Sequence, residues 1–305
     1  MVLIQKCEQY FSRRQTAILL MVIAVISFPL MDTMAKQLSE TLPSLQVVWA
    51  RYTGQFVLIL LMFLPRLGQV VQTTQPLLQA ARSVALFGGT FFFFTALKYL
   101  EIGKVAAIFQ IAPVLITLLA VLFLGERIGI RRIVSLIAGF AGALIIIQPH
   151  QHLATPEIWE QDLSVFAAFL PICAASCYAC YSVMTRLVKP GESADTTLFY
   201  TAAFGTVVSS FMMPFIWQTP QSGVEIILMM SMSLCGGLGH YCVIQSLMRA
   251  EASELAPLNY LAMVFAMMFG YMFFSETPSV ETLGGAGLIV LSGLYLWRRN
   301  QTAGS

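Results

Sequence analysis

Charged residues are scarce in this sequence of 305 residues. Asp, Glu, Lys and Arg together make up 10% of it, whereas hydrophobic residues make up 58%. A soluble globular domain carries roughly 25% charged residues, because it needs a polar shell around its core. The deficit excludes an ordinary water-soluble protein and indicates that lipid is the solvent.

Signals for several other classes of protein are also missing. The net charge is only +2 and the basic residues lie in loops, so nothing favours nucleic acid as a partner. No Gly-x(4)-Gly-Lys-Ser/Thr motif is present to use ATP directly. The chain has three histidines, too few for a convincing metal cluster, and we expect neither a metal nor another cofactor. Five of the six cysteines lie in apolar segments, which is typical of packing and not of a disulfide framework.

Long apolar runs, separated by charged residues, proline and glycine, dominate the chain instead. A helix needs about 20 apolar residues to cross the hydrocarbon core. Ten runs are of this kind, which predicts an all-α integral membrane protein with very short connections and no soluble domain. The predicted spans are 15–37, 44–64, 82–99, 104–124, 131–148, 163–187, 196–217, 226–248, 254–274 and 281–298.

The placement of Lys and Arg predicts the orientation, since short cytoplasmic loops retain these residues. With the N-terminus inside, most of them fall on the cytoplasmic side. The few on the outer side are Lys36, Lys98 and Lys104. We therefore predict a multi-pass protein of a bacterial inner membrane with both termini in the cytoplasm.

The chain repeats itself with an offset of 150 residues. Each unit has five spans, an odd number, so the second copy enters the membrane with the opposite orientation. The sequence thus predicts ten transmembrane helices in two inverted five-helix repeats, an architecture typical of transporters. The matching pairs include Gly89-Thr90 with Gly239-His240, and Gly125-Glu126 with Ser275-Glu276.

Several of these motifs carry a resemblance to a known family. They are Gly-x(6)-Ala-Leu at Gly89–Leu97, the partner segment Gly239–Leu247, and the endings Gly125-Glu126 and Ser275-Glu276, where serine replaces the usual glycine. With the ten spans, they make the chain resemble the EamA-type members of the drug/metabolite transporter superfamily. The pattern Asp32-x-x-x-Lys36 followed by Gln46-x(4)-Arg51 is similar to the branch that contains S-adenosylmethionine and riboflavin carriers.

The resemblance, combined with the spans, implies a division of the chain into five parts. The two EamA-like five-helix repeats are separated by an outer linker and flanked by cytoplasmic ends. The predicted boundaries are 1–14 for the N-terminal segment, 15–148 for the first repeat, 149–162 for the linker, 163–298 for the second repeat and 299–305 for the tail.

The function that this implies is secondary active transport by alternating access. The predicted solute is a small polar or amphipathic metabolite such as an amino acid, S-adenosylmethionine or riboflavin. An intramembrane enzyme and a non-transporting scaffold remain as alternatives, but an enzyme would need a nucleophile with a base, or a metal cluster, at mid-depth. The predicted partners are this substrate and the lipid bilayer. Coupling to a proton or another solute is left open, as is the choice between a monomer and a homodimer.

Ionisable residues within a span are costly, so each is a candidate for function. Asp32 and Arg51 lie at similar depths in the first two spans. One interpretation is a salt bridge that locks the two helices, with Lys36 extending to the membrane surface. In the other, Arg51 binds a substrate carboxylate or phosphate, and Asp32 binds an amine or titrates as a proton-coupling group. His240, the counterpart of Thr90 in the repeat, is predicted to form a hydrogen bond with the substrate.

Prolines and aromatic residues supply the remaining candidates. Gln110-x-x-Pro113 and Pro257-x-Asn259-Tyr260 combine a freed backbone carbonyl with polar side chains, which is typical of a hinge, a cavity wall or a simple kink. Aromatic walls would suit a ring-containing solute. The predicted substrate-binding residues are Asp32, Arg51, Thr90, Gln110, Tyr178, Tyr181, His240, Asn259 and Tyr260, and the predicted hinges are Pro113 and Pro257.

Two further features concern the framework. Glu126 and Glu276 end symmetry-related helices at opposite faces, where we expect helix capping or matching gates. Glycines in the closing helix of each half, among them Gly142, Gly284 and Gly285, predict close helix packing.

Overall fold

The computed structural model describes residues 12–125, 130–147, 163–188, 192–247, 249–250, 255 and 258–302. This part of the chain is helical throughout and contains no strand. The α-helices are α1 (Arg13–Ser39), α2 (Ser44–Phe63), α3 (Leu67–Val70), α4 (Pro76–Leu97), α5 (Ile102–Phe109), α6 (Ala112–Leu124), α7 (Ile130–Ile147), α8 (Leu163–Arg186), α9 (Ala194–Ile216), α10 (Gly223–Leu247), α11 (Asn259–Phe274) and α12 (Val280–Thr302).

The ten predicted spans all coincide with helices. Seven stretches are long and apolar enough to cross a membrane, and one of them, Ile102–Phe123, combines α5 with α6. The shorter apolar helices Ile137–Ile146, Asn259–Phe274 and Val280–Ser292 account for the fifth, ninth and tenth predicted spans. The sequence-based prediction of an all-α membrane protein is confirmed.

The third span begins earlier than predicted. Helix α4 starts at Pro76, six residues before the predicted boundary at residue 82, with the proline in its first turn. Proline suits that position, because the first N–H groups of a helix have no intrahelical partner. The earlier start places Arg82 inside the helix, where its side chain is fully buried.

The fourth span is interrupted at the predicted hinge. Helix α5 ends at Phe109, and α6 begins at Ala112 with Pro113 in its first turn. Proline cannot donate a hydrogen bond to the preceding turn, so the two segments are separate helices. The second predicted hinge, Pro257, lies outside the described residues, as does Glu126.

The helix contacts occur in pairs that the repeat relates to each other. Helix α1 packs on α10 and α11, and its counterpart α8 packs on α4 and α6. Likewise, α2 contacts α10 as α9 contacts α4. Two further contacts, α2 with α9 and α7 with α12, join helices that are each other's counterparts. This is the packing expected of inverted repeats around a pseudo-two-fold axis in the membrane plane.

Symmetry extends to the ends of the helices. Gly125 and Ser275 both adopt a left-handed conformation, with φ of 65° and 56°. Glycine adopts this conformation without strain, whereas a residue with a Cβ does so at a cost. Ser275 therefore has the helix-ending geometry of its glycine counterpart, although its residue type departs from the repeat.

The closing helices α7 and α12 approach each other at glycine. A Cβ atom at Gly142 would lie 2.7 Å from the carbonyl oxygen of Gly285, and one at Gly285 would lie 2.5 Å from that of Gly142. Backbone atoms cannot move aside as a flexible side chain can. The predicted close packing is thus present at these two positions.

Substituting Gly285→Ala should destabilise the protein by about 1–3 kcal/mol, since overpacking forces the helices apart. The measurement is thermal unfolding of the purified protein in detergent. Gly284→Ala is the matched control, because a Cβ there meets no atom within 4 Å. Equal melting temperatures for the two variants would contradict the close contact.

Candidate functional site

Arg51 occupies the interior of the bundle, between three helices. Its side chain on α2 is 5% exposed. Nη1 donates a hydrogen bond of 2.6 Å to Thr90 Oγ1 on α4, and Nη2 lies 3.3 Å from His240 Nε2 on α10. The rings of Tyr52 and Phe94 lie 4.9 and 5.8 Å from the guanidinium carbon, which adds cation–π stabilisation.

The two partners of Arg51 are counterparts in the repeat. Thr90 and His240 stand 150 residues apart in the sequence. A pseudo-two-fold axis relates such residues, so a group that contacts both of them lies close to the axis. The guanidinium of Arg51 is therefore central to the bundle, where both repeats meet.

The hydroxyl of Thr90 is fully engaged in this arrangement. It donates to the carbonyl oxygen of Leu86 at 3.0 Å and accepts from Arg51. Its contact with the Tyr52 hydroxyl, at 3.0 Å, must then be one in which Tyr52 donates. Thr90 therefore positions Arg51, and its predicted contact with substrate stays a prediction.

The contact with Arg51 fixes the state of His240. A guanidinium only donates hydrogen bonds, so His240 Nε2 must accept, and the neutral ring carries its proton on Nδ1. The ring also packs against Phe28, with centroids 5.1 Å apart in an edge-to-face arrangement. A proton on Nε2 would remove the acceptor and break the contact with Arg51.

Asp32 on α1 is near this group but is not joined to it. Its half-buried carboxylate makes no hydrogen bond or ion pair with the described residues, although the charge of Arg51 acts on it electrostatically. The direct salt bridge that one interpretation required is not formed. The carboxylate keeps its full capacity to accept hydrogen bonds.

One edge of the Arg51 guanidinium also lacks a partner. Its Nε is buried and makes no hydrogen bond to any described residue. Gly236 on α10 lies alongside, and a Cβ at that position would stand 3.8 Å from Nε. Sequence reasoning missed Gly236, whose small size leaves this edge uncovered.

A row of aromatic rings runs beside the centre of the bundle. The centroid distances are 5.3 Å between Phe93 and Phe109, 5.6 Å between Phe109 and Tyr178, and 5.9 Å between Tyr178 and Tyr181. The structure thus brings the two predicted tyrosines together and adds two phenylalanines from α4 and α5. Tyr178 is 36% exposed.

The other predicted residues lie apart from Arg51. Gln110 is half-buried at the break between α5 and α6, and Asn259 is exposed at the start of α11. Neither is hydrogen-bonded to the Arg51 group among the residues that the structure describes. Tyr260 packs against the apolar cluster of Ala107 and Ile108.

A polar joint connects the two halves at the predicted outer face. Lys36 forms an ion pair with Glu276, and its Nζ donates to the carbonyl oxygen of Leu100 at 2.7 Å. Glu276 also accepts a 2.9 Å hydrogen bond from the backbone N–H of Ile102, the first residue of α5. The expectation that Glu276 caps a helix is confirmed, and the Lys36 side chain is 15% exposed where it pairs with Glu276.

A second joint lies at the predicted cytoplasmic face. Glu192, between α8 and α9, accepts hydrogen bonds from Thr73, from Gln79 and from the backbone N–H of Thr74. Burial alone would raise the pKa of Glu192, but the hydrogen bonds from Thr74 and Thr73 outweigh it and hold the pKa below that of a free glutamate. The two repeats are therefore connected at both faces.

Sequence reasoning also missed the burial of Arg82, which the positive-inside rule places on the cytoplasmic side, at the start of the third predicted span. It is fully buried, and its Nε and Nη1 donate to Thr185 and Gln79 at 2.9 and 2.6 Å. The signal available was the spacing of Gln79 and Arg82, one turn apart in a helix that begins at Pro76.

These features define a membrane transporter with an inverted repeat and a charged group at its centre. The chain matches the EamA-like transporter family twice, at residues 15–148 and 165–298, and it belongs to that family. A solved crystal structure matches this chain with a TM-score of 0.63 at 21% identity. The match covers 94% of this chain and 99% of the chain in that structure, which shows a shared fold.

Three relatives with an assigned function are transporters that match this chain over nearly their whole length. An S-adenosylmethionine uptake transporter of Rickettsia felis is 27% identical, covering 90% of this chain and 90% of the relative. A riboflavin transporter of Rhizobium johnstonii is 28% identical, covering 94% and 92%. A pseudopaline exporter of Pseudomonas aeruginosa is 26% identical, covering 93% and 96%. The protein is therefore a multi-pass membrane transporter.

Replacing Thr90 by valine should lower the stability of the protein by about 1–3 kcal/mol, because buried donors of Arg51 and Tyr52 lose their acceptor. Thermal unfolding in detergent measures the change, and Thr90→Ser should preserve stability. Thr95→Val on the same helix is the control, since Thr95 donates only to the backbone of Phe91. A loss at residue 95 as large as that at residue 90 would contradict the positioning role.

Proposed function

We propose that this protein is a secondary active transporter for a small zwitterionic metabolite with a ring, and that Arg51 binds the anionic group of the solute. Transport proceeds by alternating access across a bacterial inner membrane, with both termini in the cytoplasm. The observation that carries the proposal is the buried guanidinium of Arg51, which is held between Thr90 and His240 and whose Nε has no partner among the described residues.

The surroundings of Arg51 favour an anionic ligand. No carboxylate oxygen of a described residue lies within 4 Å of the guanidinium, although a buried cation is costly without a counter-charge. Arginine presents paired N–H groups that match a carboxylate or a phosphate. Nε and the second N–H of Nη2 form such an edge, because His240 uses only one hydrogen of Nη2.

Asp32 supplies the opposite charge. Its carboxylate is near Arg51 but has no partner among the described residues, so an ammonium group can bind there while a carboxylate binds to Arg51. Amino-acid groups carry both charges on one carbon. An alternative role for Asp32 is the uptake of a coupling proton, which would also use a carboxylate without a fixed partner.

The aromatic row favours a solute with a flat ring. Tyr178 and Phe109 offer ring faces and edges of the kind that stack on heterocycles. S-adenosylmethionine, transported by some relatives, has an amino-acid group and a purine ring, and so fits both parts of the proposal. Riboflavin has a ring but no amino-acid group, and would leave Arg51 and Asp32 unused.

Transport of radiolabelled S-adenosylmethionine, methionine and riboflavin into proteoliposomes tests the role of Arg51. We expect Arg51→Gln to lower the rate for an anionic or zwitterionic solute at least tenfold, since a charge-assisted hydrogen bond contributes about 1.5–3 kcal/mol. Arg66→Gln is the control, because Arg66 lies beside Phe63 at the end of the same span. The proposal would be refuted if the Arg51→Gln variant, present at the same abundance as the wild-type protein, transported these solutes at the wild-type rate.

Asp32→Asn distinguishes the two roles of this carboxylate. If Asp32 binds the ammonium group, the KM for zwitterionic solutes should rise about tenfold, because a charge-assisted hydrogen bond is lost. Flux driven by an imposed pH gradient should then persist in the variant. Loss of that flux with an unchanged KM would instead assign Asp32 to proton coupling, and an unchanged phenotype in both assays would exclude both roles.

A further inference from the structure

Arg82 is a second arginine buried between transmembrane helices. It lies on α4, near the predicted cytoplasmic face, and its side chain has no exposed surface. Nε donates to Thr185 Oγ1 at 2.9 Å, Nη1 donates to Gln79 Oε1 at 2.6 Å, and the Tyr181 ring lies 5.0 Å from the guanidinium carbon. Its Nη2 is buried and has no hydrogen-bond partner among the described residues.

The positive charge of Arg82 has no direct counter-charge in the described part of the chain. Gln79 stands between Arg82 and Glu192, with its Nε2 donating to the Glu192 carboxylate at 3.2 Å. That carboxylate also accepts the backbone N–H of Thr74 at 2.6 Å, so it is already engaged. A buried guanidinium with open donors and no adjacent carboxylate attracts an anion from elsewhere.

The other repeat shows that the fold does not need these polar residues. Helices α4 and α8 meet here as α10 and α1 meet in the other half. All the counterparts of the polar cluster, 150 residues away, are hydrophobic, and they belong to or pack on one apolar cluster. Gln79, Arg82, Tyr181, Thr185 and Glu192 correspond to Met229, Met232, Met31, Ala35 and Leu42. Apolar packing is sufficient for this joint, so the guanidinium serves another purpose.

The position of Arg82 connects it with the aromatic row. Tyr181, the ring beside Arg82, is the last member of the row that runs from Phe93 through Phe109 and Tyr178. On the other side, Thr185 is exposed, so the cluster borders the protein surface. An anion that moves along the row towards the cytoplasmic face would meet Arg82 at its end.

We propose that Arg82, which lies beside Tyr181 and is held by Thr185, forms a second anion-binding site for a carboxylate or phosphate group at the cytoplasmic end of the bundle. Its use by the transported solute, as a station between Arg51 and the cytoplasm, rests on the proposed function. Its ability to bind an anion does not.

Charged thiol reagents can test the site without a known substrate. A Thr185→Cys variant, free of other cysteines, is exposed in inverted membrane vesicles to methanethiosulfonates that carry either a sulfonate or a trimethylammonium group. We expect the anionic reagent to react about tenfold faster, because the Arg82 charge attracts it. Inorganic phosphate and citrate should slow that reaction.

Arg82→Met introduces the residue type of the counterpart Met232, and we expect it to abolish the preference for the anionic reagent. Arg82→Lys keeps the positive charge and should retain that preference. Gly68→Cys, which has open space around it, reports the intrinsic difference between the two reagents. If Arg82→Met does not accumulate in the membrane, Arg82→Gln replaces it.

Equal rates in the presence of Arg82, a preference that survives in Arg82→Met or Arg82→Gln, or no reaction with either reagent would each overturn the proposal. Arg51→Gln should leave the reagent preference unchanged. A failure of transport at Arg51 can therefore be distinguished from a failure of anion binding at Arg82.

Discussion

A charge within the hydrocarbon core has to be solvated by the protein itself, and this constraint shapes the interior of the bundle. Arg51 is solvated by a hydroxyl, an imidazole nitrogen and two aromatic rings. Hydroxyls and rings stabilise a guanidinium without neutralising it, which an adjacent carboxylate would do. These contacts thus hold the guanidinium in place while its charge stays available to a ligand. They require α2, α4 and α10 to keep their spacing.

The repeat explains how one fold provides both a framework and a site. Backbone features recur in the two halves, such as the left-handed helix ends at Gly125 and Ser275. The side chains at related positions differ, since Thr90 corresponds to His240 and Arg82 to Met232. A transporter with two identical halves would offer the same chemistry to both sides of the membrane. The two halves therefore share a backbone framework but differ in the chemistry of their side chains.

Much of the fold could be predicted from the sequence, because apolar runs, breakers and a constant offset are local signals. The offset of 150 residues also relates Thr90 to His240 from the sequence alone. The arrangement of Asp32 and Arg51 could not be predicted, since equal depth does not fix how each helix is rotated about its axis. The burial of Arg82 could not be predicted, because the apolar run in the sequence begins at residue 82, whereas the helix starts at Pro76. The contacts among Phe93, Phe109 and Tyr178 depend on tertiary packing between three helices, which no local pattern contains.

The ion pair of Lys36 and Glu276 opposes separation of the two halves at the predicted outer face. Because the same carboxylate also binds the first N–H of α5, separating the two halves at this face would expose a helix end and two opposite charges at once. All three groups would need new partners, which disfavours separation of the two halves at this face. Contact between the two halves at that surface thus depends on a few polar atoms.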